Sequence, residues 1–362
     1  MRIHHFYPRT SNIGDHFVQR GIEAMIRRLV PDASFQFFNV NSRGEDKSEY
    51  GLTQSSIERA NREAALIIVG GSNLYEGSYR WPWGVHVEID ALKNLQKPLF
   101  LLGIGTGSAF LSSLHKPSAR ATREMKLLND CATLSGARDV VTLEWLHELG
   151  ISRAKLMGDP ATFIFNHPLQ RNNQKGPILI SLPPRRFWSS LHQFWKVHVH
   201  GRAMSKAIVA LAGKLRGEGH EIVIACNDPL DLPLARKLFE GSHPYQVVCP
   251  ETPEAYFLLL AGARAVVAGR LHTAVVAFSL GIPFILMDMD QRTHGFVRTY
   301  QLERWTLTPT RPSLAALQEQ TDSLLSDEAS PSWELLIGKR DRMYAQAMRQ
   351  LEDAFLAVGH SF

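Results

Sequence analysis

Short runs of β-branched and large apolar residues alternate with helical patterns along the whole chain, and this alternation narrows the fold more than any other feature. The runs lie at 3–6, 35–40, 65–69, 99–102, 133–135 and 155–157, then at 178–182, 221–225, 246–248, 265–268 and 284–287. Strands that are apolar throughout are buried on both faces, and helices between them imply parallel pairing. The polar stretch 170–176, reading QRNNQKG, separates the two series. At 362 residues the chain exceeds the size at which one core usually stops growing. The expected architecture is α/β, with two Rossmann-like doubly wound domains at 1–170 and 177–330 facing each other across a cleft. After Pro331 a last helical pattern, 331–362, places Leu335, Leu336, Met343, Ala347, Leu351 and Phe355 on one face. This helix is expected to return across the domain boundary.

Arg270, Leu271 and His272 sit between the apolar run 265–268 and a helix of small apolar residues stopped by Gly281. In parallel sheets ligands bind beyond the carboxyl ends of the strands, which is where these residues fall. A guanidinium and an imidazole beside free helix N–H groups make a site for a small, highly charged anion. The plainer reading is an ion pair for Arg270 and a helix cap for His272. No Asp or Glu lies between Glu254 and Asp288, so a carboxylate partner has to come from elsewhere in the chain.

Composition excludes several classes. The charge of +5 is spread through the sequence and forms no basic run, so no nucleic acid is expected. A mildly basic protein suits anionic substrates or a loose association with acidic membrane surfaces. Three scattered cysteines, with no CxxC pair and no HExxH, offer no metal site and fit a reducing compartment. The absence of an apolar run of roughly 18 residues, and a strand pattern that begins at Arg2, lead to a cytoplasmic expectation. The sequence specifies no oligomeric state.

The first half supplies further candidates at strand ends. Asn12, Gly14 and Asp15 follow the first strand, where Asp15 would cap a helix or serve as a base. Gly70 and Gly71 precede Ser72 and Asn73, and permit either a close ligand or tight packing. Gly103, Gly105 and Gly107 lack the GxGxxG spacing of a dinucleotide site, and no suitable acid follows. Trp81 and Trp83 flank Pro82 in a polar stretch, as flat faces for a sugar or as local packing.

Taken together, Asn12-Ile13-Gly14-Asp15, the strand ending in Gly70-Gly71, Gly103-Ile104-Gly105, Ala137-Arg138-Asp139, Leu149-Gly150, Asp159-Pro160 and Gly269-Arg270-Leu271-His272 resemble the polysaccharide pyruvyl transferase family. The resemblance runs from about residue 10 to residue 300. It implies a GT-B-like protein that moves a pyruvyl group from phosphoenolpyruvate to two hydroxyls of a sugar, lipid-linked or not, forming a cyclic ketal without a cofactor. It also implies donor contacts from Arg270, His272, Arg292 and one of Arg185 or Arg186. His272 is then the general acid and Asp15 a candidate base, with Asn12, Asp15, Asn73, Trp81 and Trp83 on the acceptor side. Arg292 stands in the segment Arg292-Thr293-His294-Gly295-Phe296, where relatives more often carry a lysine.

Two rival readings stay open at this level. A GT-B glycosyltransferase using a nucleotide sugar commonly holds the ribose with a Glu on the helix after this loop, and residues 273–280 contain no acid. A protein that only binds a glycan or a partner would have no use for a proton donor beside an anion site.

Overall fold

The computed structural model describes residues 1–10, 12–42, 49–75, 84–107, 114, 116–164, 176–183, 191–240, 245–308, 314–326 and 330–359, with backbone alone for 191–201 and 330–331. Trp81, Trp83, Arg185, Arg186 and most of the expected 170–176 linker lie outside these residues. The chain divides into two compact units, one built from residues up to 164 together with 340 onward, the other from residues up to 339 that follow the first crossover.

Unit 1 contains β1 (Arg2–Tyr7), α1 (Ile13–Leu29), β2 (Ser34–Asn39), α2 (Gln54–Glu63), β3 (Leu66–Gly70), α3 (Ile89–Leu92), β4 (Leu99–Ile104), α4 (Ala119–Cys131), β5 (Leu134–Ala137), α5 (Val140–Glu148) and β6 (Lys155–Leu156). Its six parallel strands run in the order β2-β1-β3-β4-β5-β6. The chain moves from β1 outward to β2, then crosses to β3 on the other side of β1. The loops after β1 and β3 therefore flank a topological switch point, the usual place for a ligand in such a sheet. Burial explains the sequence pattern, because β3 and β4 are buried at every residue.

Unit 2 contains β7 (Ile178–Ser181), α6 (Leu191–Gly217), β8 (Ile222–Ala225), α7 (Leu232–Phe239), β9 (Gln246–Val248), α8 (Pro253–Ala261), β10 (Ala265–Ala268), α9 (Leu271–Ser279), β11 (Phe284–Met287), α10 (Gln291–Tyr300), β12 (Thr306–Leu307) and α11 (Leu314–Leu325). The strand order is β12-β11-β10-β7-β8-β9, again all parallel. Here the switch point lies between β7 and β10. Gly269 makes that junction possible, since its N–H donates to the Ser181 carbonyl at 3.0 Å. A Cβ on it would stand 2.4 Å from the Pro183 nitrogen and 2.6 Å from the Leu182 carbonyl carbon.

The last helix, α12 (Ser330–Ala357), contributes residues up to 339 to unit 2 and the remainder to unit 1. Trp333 is fully buried against Trp305 and Phe284, while Phe355 meets Phe100 edge-on. Leu336, Ala347, Leu351 and Phe355 are buried as their spacing predicts. Leu335 is not, being 60% exposed, because it sits one position around the helix from Leu336 and points away from the aromatic core. No helix among the described residues is long and apolar enough to cross a membrane.

Candidate active site

Arg270 occupies the N-cap position of α9, and its side chain makes no capping hydrogen bond. The contrast with its neighbours is informative, for Asn12, Thr53, Ser118, Asp139, Thr252 and Asp290 each accept a hydrogen bond from the first turn of their own helix. The helices α3 and α7 also start without a side-chain cap, but on the acids Glu88 and Asp231, so among these helices α9 is the one that begins on a cation. The first-turn amides keep their partial positive charge at the edge of the switch point. Half-buried His272 lies in that same turn.

Arg270 is paired. Its Nη2 donates to both carboxylate oxygens of Asp231, which stands in a 3-10 turn (Pro229–Asp231) after β8. The partner thus comes from outside the acid-free window around Arg270, and the plainer reading of this arginine describes a real contact. One nitrogen carries the whole pair, and Nε is buried with no hydrogen-bond acceptor among the described residues. Since a guanidinium offers five N–H donors in a planar fork, Arg270 retains capacity for a second anion. Burial pushes the Asp231 carboxyl up, against the pull of Arg270.

Thr273, in the first turn of α9, is fully buried and fixes this corner. Its hydroxyl lies 2.8 Å from the Tyr256 hydroxyl and accepts from Asn227 Nδ2 at 3.0 Å. The Tyr256 phenol is raised by burial, so it stays protonated and holds its bond.

The loop after β11 carries the second group. Asp290 N-caps α10 in a capping box with Thr293, and also binds the Arg292 guanidinium through Nε at 3.0 Å and through Nη2. Asp288 takes His294 Nδ1 at 3.1 Å on one oxygen and the Thr293 hydroxyl at 2.7 Å on the other. Burial raises the Asp288 carboxyl, while those two hydrogen bonds oppose the rise. Ala268 pairs with Leu286 across β10 and β11, so continuing the register sets Arg270 level with Asp288. Arg270, His272 and Arg292 therefore leave neighbouring strand ends of one sheet.

In unit 1 the acceptor-side candidates also gather at strand ends, with one change of role. Asn12, not Asp15, caps α1, its Oδ1 accepting from Gly14 N–H at 3.1 Å. Asp15 is buried two residues into the first turn and accepts from the Thr10 hydroxyl at 2.6 Å. The loop after β3 turns through Gly71 (φ +85°) and Ser72 (φ +62°), a left-handed pair that costs about 1 kcal/mol or more at the serine. Asn73 Oδ1 then accepts from Arg138 Nη2 at 3.4 Å. Arg138 is buried beside Asp139 (3.3 Å) and Asp159 (3.9 Å). Its guanidinium lies where a Cβ on Gly105 would be, and the Pro160 ring lies where one on Gly103 would be. Packing, not a dinucleotide, accounts for those glycines.

The sequence motifs contained Arg138, Asp159 and His294 without assigning them roles, and Asp288 entered only as the end of the acid-free window. Asp231 was missed outright, and a signal for it would have required knowing that β8 and β10 flank β7.

The model of the polysaccharide pyruvyl transferase family matches residues 12–291, well over half of the chain. The protein belongs to this family. A search of curated protein sequences gave no significant match. Among solved structures the chain resembles a Listeria monocytogenes protein assigned as a UDP-N-acetylglucosamine 2-epimerase, at 12% identity and TM-score 0.58 over 97% of each chain. It also resembles the UDP-GlcNAc 2-epimerase of Neisseria meningitidis bound to UDP-GlcNAc, at 12% identity and TM-score 0.57 over 99% of this chain and 100% of that one. A third is the UDP-GlcNAc 2-epimerase of Methanocaldococcus jannaschii, at 11% identity and TM-score 0.55 over 90% and 93%. These likenesses concern the fold, and the two-domain GT-B-like architecture expected of the pyruvyl transferase family is the one found.

Proposed function

We propose that the protein transfers the pyruvyl group of phosphoenolpyruvate to two hydroxyls of one sugar residue, forming a cyclic ketal and releasing phosphate. The observation that carries this reading is the uncapped amino end of α9 at the β7/β10 switch point, with a guanidinium at the cap position and an imidazole in the first turn. Phosphoenolpyruvate presents a carboxylate and a phosphate close together, and several N–H donors from separate loops suit such an ion. Arg270 and Arg292 bring the guanidinium groups and α9 brings the amides. The carboxylates of Asp231 and Asp290 hold both arginines in place and compensate their charge until the anion arrives.

In the reaction the enol carbon C3 gains a proton, C2 gains positive character and a sugar hydroxyl attacks it. The C2–O bond to phosphate breaks and the second hydroxyl closes the ring. His272 is the proton donor to C3, with a bound phosphate favouring its charged form. In unit 1, Asn12, Asp15 and Asn73 are the polar groups assigned to the sugar. The protein needs no cofactor for this chemistry, and a lipid-linked or free glycan precursor would serve as acceptor in the cytoplasm.

The rival is a nucleotide-sugar donor, a ligand class that the Neisseria meningitidis epimerase of similar fold binds as UDP-GlcNAc. The first turn of α9 carries no acid, so the ribose contact such a donor often uses is missing. Thermal melts separate the two. Phosphoenolpyruvate at about 100 times its Kd should stabilise the native chain by about 2.7 kcal/mol, with UDP-GlcNAc at the same concentration giving a smaller rise. Stabilisation by UDP-GlcNAc and none by phosphoenolpyruvate would transfer the chain to the rival class.

A further inference from the structure

We propose that His294, held by Asp288, is the base that accepts the proton of the attacking sugar hydroxyl, an assignment that rests on the pyruvyl-transfer reading. The pair has the geometry of an oriented imidazole. Asp288 has a side chain only 13% exposed, and its two oxygens are fixed separately, by His294 Nδ1 at 3.1 Å and by the Thr293 hydroxyl at 2.7 Å. Thr293 is itself locked, accepting from the Asp290 N–H at 2.9 Å. A carboxylate immobilised in this way sets the tautomer of the ring, and Nε2 becomes the nitrogen available to a ligand. The imidazole is 47% exposed, so it is reachable.

A purely structural role fits less well. The first turn of α10 already has its cap, since Asp290 accepts from the Arg292 and Thr293 amides and Thr293 returns the bond. The Asp288–His294 contact adds nothing that the turn lacks. Its place does carry meaning, because Asp288 and Arg270 follow the ends of two neighbouring parallel strands whose register runs Ala268 to Leu286. The charged group that acts on Asp288 besides His294 is Asp290 on its own turn, itself paired with Arg292.

The proton balance calls for such a group. Two O–H bonds of the sugar break, and two C2–O bonds to the sugar form. One proton equivalent ends on C3 and the other leaves with phosphate as its C2–O bond breaks. Proton delivery to carbon and proton removal from oxygen occur at different atoms, and imidazoles on adjacent loops divide the work. His272 gives to C3, and His294 takes from the hydroxyl. Asp15 is less suited to that second task, because one of its oxygens already accepts the Thr10 hydroxyl. Asp288 acts through His294 and is a positioning residue.

The test compares wild type, His294→Gln and Asp288→Asn in the full chain. Calorimetry measures phosphoenolpyruvate binding, phosphate release is followed with a panel of methyl hexopyranosides, and 15N spectra read the imidazole rings, with His294 assigned by its loss in His294→Gln. His294→Gln should bind phosphoenolpyruvate within about threefold of wild type and lose about a hundredfold in phosphate release. Asp288→Asn should lower kcat by at least about tenfold with the KM for phosphoenolpyruvate unchanged, and should switch His294 away from the Nδ1–H tautomer. The His294 ring signals of wild type should move on saturation with phosphoenolpyruvate. Phosphate release by His294→Gln at the wild-type rate would overturn the assignment alone, as would ring signals indifferent to the donor. If the wild type binds the donor but uses none of the glycosides, the ring signals decide. A wild type that does not bind phosphoenolpyruvate would remove the underlying reading and this assignment with it.

Discussion

Arg270 meets Asp231 through a single nitrogen, which leaves its other N–H donors, Nε–H among them, as what lysine cannot supply. A lysine would keep the pair with Asp231 and lose the buried Nε–H that has no acceptor among the described residues. Arg270→Lys should therefore weaken phosphoenolpyruvate binding by tenfold or more, about 1.4 kcal/mol. Unaltered affinity by calorimetry would take Arg270 out of the donor site. His272→Ala should leave the fold intact and reduce turnover by about a hundredfold, and near-normal phosphate release would remove His272 from the chemistry. Both residues were legible in the sequence because two charged groups interrupt an otherwise apolar stretch. Asp231 was not, since it lies 39 residues earlier in a turn whose Asp228 reads as a simple cap. A different histidine governs acid stability. His5 is buried in β1 beside Tyr7 and Phe37, and burial lowers its pKa from 6.5 to about 3. The folded chain keeps this ring neutral while the unfolded chain protonates it near pH 6.5. Its contribution to stability is thus complete above pH 6.5 and is lost as pH falls toward 3, by about 1.4 kcal/mol per unit. His4 shifts in the same direction. His5→Phe should flatten the fall in stability between pH 6 and pH 4, measured by urea unfolding, and an undiminished slope would show that His5 is not its source.

Among the elements, the junction of β7 and β10 decides whether the proposed donor site can form. Gly269 lets the two strand ends close on each other, and a methyl group there would press on the backbone of Ser181, Leu182 and Pro183. Backbone cannot rotate away as a side chain can, so Gly269→Ala must push Arg270 and the amino end of α9 outward. We expect a loss of about 1–3 kcal/mol in stability together with at least tenfold weaker phosphoenolpyruvate binding. A variant that melts like wild type and binds as tightly would mean the junction is looser than its geometry indicates. Eleven of the twelve strands among the described residues were legible as apolar runs, most clearly the central ones such as β3, β4 and β10, where burial on both faces leaves a continuous signature, and less so the half-exposed edge strands β2, β6 and β9. The twelfth, β12, is the two-residue pair Thr306–Leu307 in a mixed stretch with no apolar run around it, whereas the equally short β6 runs on into Met157. Strand order was another matter, since the crossover from β9 back to β10 is a choice made by packing and leaves no local mark. The same limit applied to α1, where Asn12 and Asp15 are both good capping residues and only the helix start distinguishes them.

At the scale of the whole molecule, α12 belongs to both units, and its two ends are anchored in different cores. Trp333 closes the aromatic cluster of unit 2 with Trp305 and Phe284, whereas Phe355 packs on Phe100 in β4 and Gln346 and Gln350 both donate to the Leu156 carbonyl of β6. The sequence showed the helix and most of its buried face, while the point at which it passes from one core to the other, between Lys339 and Arg340, depends on contacts that no local pattern encodes. This division makes the stability of each unit separately addressable. Phe355→Ala should cost about 3–5 kcal/mol of local stability in unit 1, and Trp333→Ala a similar amount in unit 2. Hydrogen exchange reads the two sheets independently. The first substitution should lower protection in β3 and β4 and leave β10 and β11 near wild type, and the second should do the reverse. Because Arg270, His272 and Arg292 all belong to unit 2, phosphoenolpyruvate should restore protection to β10 and β11 in the Trp333 variant and do little for β3 and β4 in the Phe355 variant. If either substitution lowered protection equally in both sheets, the chain would be one cooperative body, and a donor bound to unit 2 would stabilise unit 1 to the same extent.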